Sequence, residues 1–178
     1  AKSSDQYVNT AISWTYEPGS VFKPLTLAAA LEARMIRPTD TYDDRGEIIV
    51  GNARIRNADK KAHGRTNMTQ LLAYSLNVGA AHVATLLGPT RFYERIRHFG
   101  FSENTGVDLA LEVPGSMRVP GTSLWHMSDL GTNSFGQGML VTPLQVAAAY
   151  GALANDGNLM RPYVVAQYNF GGTSVVRK

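Results

Sequence analysis

Apolar residues fall in a few dense blocks divided by polar, glycine-marked stretches. The densest block, Leu25, Leu27, Ala28, Ala29, Ala30 and Leu31, is apolar all the way round. That predicts a buried helix, starting in a first turn at Ser20 behind Pro18-Gly19 and running to about Arg34. Further helices are predicted at Met68–Tyr74, Val78–Leu87 and Thr90–His98, with Gly88-Pro89 and Gly100 as breaks, and a short one at Ser123–Leu130. Asn67 and Gln70 stand in capping-box spacing before Leu71 and Leu72. The clearest helix start is Thr142 as N-cap, Pro143 as first helical residue and Gln145 closing a capping box; that helix runs to Ala154 and stops at Asn155-Asp156-Gly157. Glu47–Val50 and Arg54–Arg56 read as a hairpin across Gly51-Asn52, and Leu159–Tyr168 with Thr173–Arg177 as strands joined around Gly171-Gly172. Thr39–Arg45 and residues 101–122 read as loop, and Ala1–Thr10 as a polar lead. The class is α+β and mostly helical.

Composition narrows the function more than the fold. A chain of 178 residues, 44% hydrophobic and 17% charged, is enough for one domain with a real core. The net charge of +3 is not gathered into a basic stripe, and neither Trp14 nor Trp125 is interleaved with one, which argues against nucleic acid as a partner. There are no cysteines, so neither disulfides nor thiolate metal sites exist. His63, His82, His98 and His126 lie in no ligand spacing, and no cofactor fingerprint is present. The most apolar stretch, Leu140 to Ala154, is shorter than the roughly 20 residues of a membrane span and contains Thr142, Pro143 and Gln145.

Candidate chemistry starts at Ser20-Val21-Phe22-Lys23. Positions i and i+3 of a helix lie about 5–6 Å apart at Cβ, so the amine of Lys23 can reach the hydroxyl of Ser20, a nucleophile with its own base. A useful base near neutrality needs the lysine pKa lowered by roughly 3 units, about 4 kcal/mol, mostly from desolvation or a second cation because a helix terminus contributes only about 0.3–2 kcal/mol. Pro24 cannot donate to the Ser20 carbonyl, so either that carbonyl is free or the first turn is distorted. Ser75-Leu76-Asn77, at a junction of two predicted helices, offers a hydroxyl to relay a proton and an amide to hold a carbonyl or the lysine amine. Each motif alone recurs by chance; Ser102-Glu103-Asn104 matches the second as well.

Their order carries the specificity. Tyr16-Glu17-Pro18-Gly19-Ser20-Val21-Phe22-Lys23-Pro24, His63-Gly64-Arg65 ahead of Ser75-Leu76-Asn77, Phe135-Gly136-Gln137-Gly138, Val141-Thr142-Pro143-Leu144-Gln145 and Ala154-Asn155-Asp156-Gly157 resemble a penicillin-binding protein transpeptidase domain. The likeness is closest to the class B enzymes of elongation or division and covers Tyr16 to Pro162. It implies the helical part of the penicillin-binding and serine β-lactamase-like fold, with much of the central antiparallel sheet missing. It implies a serine D-Ala-D-Ala transpeptidase that crosslinks peptidoglycan stem peptides through an acyl-enzyme and is trapped there by β-lactams. By that resemblance Ser20 is the nucleophile, Lys23 takes its proton, Ser75 passes a proton to the leaving amine, and Asn77 holds Lys23 and the substrate amide. Gln137 and Gly138 are weaker substrate-binding candidates, and no metal or cofactor is implied.

One departure changes the expectation. The family's third motif, Lys-Thr-Gly or Lys-Ser-Gly, is absent: none of Lys2, Lys23, Lys60, Lys61 and Lys178 opens such a triplet. Residues 1–178 therefore read as one partial transpeptidase domain without the family's membrane anchor, of low or no activity alone, and prone to self-association through unpaired strand edges. Other cell-wall synthesis proteins are implied as partners, at the outer face of the bacterial cytoplasmic membrane. Two other readings stay open: a serine β-lactamase or β-lactam sensor, and a non-enzymatic scaffold piece.

Overall fold

The computed structural model describes residues 8–171 and 173–176. Helix α1 (Thr10–Ser13) and a 3-10 turn (Gly19–Phe22) lead into α2 (Lys23–Glu32). Strand β1 (Thr41–Asp44), the hairpin β2 (Glu47–Val50) and β3 (Ala53–Arg56), and β4 (Gly64–Asn67) come next. Helices α3 (Met68–Ala73), α4 (Asn77–Leu87) and α5 (Pro89–His98) follow. A second half holds β5 (Ser116–Met117), α6 (Met127–Asn133), β6 (Met139–Leu140), α7 (Pro143–Ala154), β7 (Gln167–Phe170) and β8 (Thr173–Val176).

The apolar block of α2 is the axis of the molecule. One side, Leu25 and Ala29, packs together with Phe22 of the preceding turn against Phe92, Ile96, Phe101, Leu130 and Ala149. The other, Leu27 and Ala30, packs with Tyr42, Met68, Leu71, Val78 and Val83. Burial is not complete, since Leu31 is exposed at the far end. Strands occur only as antiparallel pairs, β1 with β4, β2 with β3, β5 with β6 and β7 with β8, so the described residues contain no larger sheet, as the family resemblance implies.

Several elements depart from the expectations. Thr39–Arg45 was expected as loop, yet Thr41–Asp44 pairs in register with Gly64–Asn67. The polar sequence hides this strand because its inward face is Tyr42 and Asp44, one aromatic and one buried carboxylate rather than two apolar residues. The polar lead ends in the start of α1, with Asn9 as N-cap accepting from Ala11 N–H; its first seven residues lie outside those described. Helix α6 starts at Met127 rather than Ser123, because the backbone N–H of His126 donates to Asp129 at 2.7 Å and sets the boundary. Of the strand expected over Leu159–Tyr168 only the end from Gln167 forms. Pro162 interrupts it, and the backbone there is held by loop groups instead, Asp108 accepting from Val164 and Val165. Gly172 and Arg177 of that predicted hairpin lie outside the described residues.

The Thr142 start of α7 forms as expected, with Gln145 N–H donating to Thr142 Oγ1 and Thr142 N–H to Gln145 Oε1. Gln145 does more than close the box: its amide also donates to the carbonyls of Glu103 and Pro114, both at 2.8 Å, tying the long 101–114 loop to the helix. Thr142→Ala is expected to cost about 1–2 kcal/mol in urea unfolding. Gln145→Ala should cost about 3 kcal/mol, because it also strands buried carbonyls.

Candidate active site

Pro24 settles the geometry of the first motif. It has no N–H to give the Ser20 carbonyl, so that carbonyl accepts instead from Lys23 N–H, and residues 19–22 wind as a 3-10 turn. Side chains three apart eclipse in a 3-10 turn, which stacks Lys23 directly on Ser20. The Lys23 amine donates to Ser20 Oγ at 3.0 Å. Ser20 itself is exposed, while Lys23 beneath it is only 1% exposed.

The same amine reaches across to the second motif, donating to Ser75 Oγ at 2.9 Å and to the Ser75 carbonyl at 2.5 Å. Burial pulls its pKa down from 10.5 to about 8. Loss of water alone thus supplies most of the shift that a base at neutral pH requires.

Ser75 can present both oxygens because of how α3 ends. Tyr74 is the C-cap, Ser75 N–H donates to Leu72 O and Leu76 N–H to Leu71 O, the paired bonds of a Schellman motif. The position after the cap needs a left-handed backbone and is usually glycine; here Ser75 adopts φ +54°. A serine there costs about 1–2 kcal/mol, and the strain turns its carbonyl and hydroxyl together onto Lys23.

The remaining predicted residues fall differently. The Asn77 amide donates to Arg56 O at 3.0 Å, so the groups found against Lys23 are the serines rather than Asn77. Gln137 and Gly138 are exposed, but their backbone bonds run to Glu17, Thr132 and Asn133 instead of toward Ser20 or Lys23: Gly138 N–H donates to Glu17 Oε1 at 2.8 Å, and Asn133 donates to Gln137 O. This loop braces the Ser20 turn from behind. Gly19 N–H donates to Gly136 O at 2.9 Å, and Tyr16 exchanges both backbone bonds with Val141 at 3.0 Å. Glu17 and Gly136 were missed as positioning groups, because a carboxylate two residues from a turn and a glycine in a loop carry no signal of a distant partner.

Comparison with known proteins decides the family. The profile of the penicillin binding protein transpeptidase domain matches residues 1–176. The chain belongs to that family. Among its relatives, a peptidoglycan D,D-transpeptidase FtsI homolog from Mesostigma viride is 34% identical over 172 residues, covering 90% of this chain and 28% of that protein. Stage V sporulation protein D of Bacillus subtilis is 36% identical over 166 residues, covering 90% and 25%. A crystal structure of penicillin-binding protein 3 from Mycobacterium tuberculosis, complexed with aztreonam, superposes with a TM-score of 0.85 at 31% identity, over 96% of this chain and 38% of that one. The chain thus spans about a quarter of the curated relatives it matches. No helix among the described residues is long and apolar enough to cross a membrane, and no cluster of metal-ligating side chains is present among them.

In this transpeptidase domain the serine turn depends on a close backbone approach. A Cβ at Gly136, whose φ is +76°, would run into the Gly19 backbone and the Phe22 side chain. Gly136→Ala is therefore expected to cost about 3 kcal/mol in thermal or urea unfolding, from the left-handed backbone and from displacing the turn that carries Ser20.

Proposed function

We propose that the chain is the nucleophile-bearing part of a D,D-transpeptidase. Ser20 Oγ attacks the carbonyl of a D-Ala-D-Ala stem peptide as its proton passes to the neutral Lys23 amine. The C–N bond breaks, and the departing amine takes a proton through Ser75 Oγ. The amine of a neighbouring stem then displaces Ser20 to make the crosslink. A β-lactam follows the first half of this path, but its nitrogen stays tethered. The observation that carries the reading is the buried Lys23 amine within hydrogen-bond distance of both hydroxyls, beneath an exposed Ser20. The name of the Mesostigma viride relative, a peptidoglycan D,D-transpeptidase homolog, supports peptidoglycan as the substrate and with it the cell envelope as the location. The aztreonam complex of the Mycobacterium tuberculosis protein supports β-lactams as inhibitors.

Intact-protein mass spectrometry after incubation with penicillin G tests this. One adduct of intact penicillin is expected, absent in Ser20→Ala; an undiminished adduct in the variant rejects Ser20 as nucleophile. Rapid nitrocefin turnover would assign the chain to the hydrolases instead.

The pH dependence follows from Lys23. Its protonated form is inactive as a base and predominates below about 8. Raising the pH from 7 to 9 increases the neutral fraction about tenfold, so the acylation rate should climb by about that factor and level off. A flat profile measured by quenched-flow mass spectrometry would remove Lys23 from the base role.

A further inference from the structure

Helix α4 begins at Asn77, two residues after Ser75, and its N-cap is Leu76, whose side chain cannot accept a hydrogen bond. The missing cap comes from another element. Asn57, just past β3, accepts from Val78 N–H through Oδ1 at 3.1 Å. Its amide hydrogens are committed elsewhere: Nδ2 donates to both carboxylate oxygens of Asp44, at 2.9 and 3.0 Å, and to Lys61 O at 3.1 Å. With both hydrogens engaged, only the oxygen can face α4.

Asp44 fixes that polarity. Its side chain is fully buried and accepts also from Gly46 N–H at 2.8 Å and from the Tyr42 hydroxyl at 3.1 Å. Among the described residues no lysine, arginine or histidine lies within ion-pair distance of it. An unpaired buried carboxyl group is costly, and apolar residues would fill the same space at least as stably, so its directional bonding is the property to account for. Tyr42 adds to the same junction: its hydroxyl lies so close to Gly79, in the first turn of α4, that no Cβ would fit there. The residue before Asn57 takes part as well, since Arg56 O receives the Asn77 amide.

We infer that Asn57, oriented by Asp44, is a positioning residue of the acylation site: it caps α4 and thereby holds the Ser75–Asn77 turn against Lys23. The inference rests on the roles proposed above for Ser20, Lys23 and Ser75. Neither Asn57 nor Asp44 touches the reacting groups; they act through the backbone at Val78 and the turn that precedes it.

The test uses this chain, Asn57→Asp, and the exchanged pair Asp44→Asn with Asn57→Asp. The first readout is an NMR titration of the Lys23 amine, which a merely stabilising role would leave alone. In Asn57→Asp two carboxyl groups face each other and the turn loosens, so Ser75 moves off and water reaches the buried amine of Lys23, relieving the desolvation that holds its pKa down. Its midpoint should rise by about one pH unit or more, which leaves about tenfold less neutral amine at pH 7, with a matching fall in the rate of the penicillin adduct. The exchanged pair restores one donor facing one acceptor and should return both readouts to within about threefold of the original. A folded Asn57→Asp protein with the Lys23 midpoint unmoved overturns the inference, as does an exchanged pair that is fully stable but unrestored. If Asn57→Asp does not fold, the exchanged pair decides alone. In the unaltered chain, the Val78 amide should be protected from hydrogen exchange, and exchange as fast as in an unstructured peptide would overturn the cap whatever the variants do. Should the unaltered chain form no penicillin adduct, the proposed function fails for it while the Lys23 titration still decides the role of Asn57.

Discussion

Everything at this site turns on one buried amine. Lys23 loses nearly all its water, and the three oxygens it gains belong to two segments that are far apart in the chain. Removing a cation from water costs more than neutral hydrogen bonds return, so the amine gives up its proton more readily than an exposed lysine does. The surrounding architecture can be read as what makes that burial tolerable: α2 wedged between two apolar clusters, and a strained turn aimed at the amine from the far side.

Holding these parts in place takes braces from every quarter. The serine turn is held from behind by Gly136, Gly138 and Val141, and from the side by the Tyr150 hydroxyl on Val21 O. The Ser75 turn is held through α4 by β3 and the loop beyond it. None of these braces is local in sequence, so the precision of the site is a property of the tertiary fold rather than of its motifs.

That explains what could be read in advance. The buried helix, the hairpin, α3, α4, α5 and the capped α7 were all legible, because each rests on periodicity or on capping residues within a few positions. So was the pairing of Ser20 with Lys23, and Pro24 even signalled a distorted first turn, although not its resolution as a 3-10 turn. What stayed hidden depends on distant partners or on strain. A left-handed Ser75 contradicts the glycine that a Schellman turn normally takes. The strand Thr41–Asp44 buries a carboxylate where the pattern calls for an apolar residue. Asn77, expected on Lys23, is drawn instead to a carbonyl 21 residues upstream.

The burial of Lys23 also links reactivity to folding. In an unfolded chain its amine has the ordinary pKa of 10.5, and only the native packing lowers it to about 8. At neutral pH that difference multiplies the uncharged fraction about 300-fold on folding. Ser20 therefore meets a partly neutral amine only after segments 52 residues apart have closed on each other. Until then Ser20 in a nascent or partly unfolded chain is an ordinary alcohol beside a fully charged lysine.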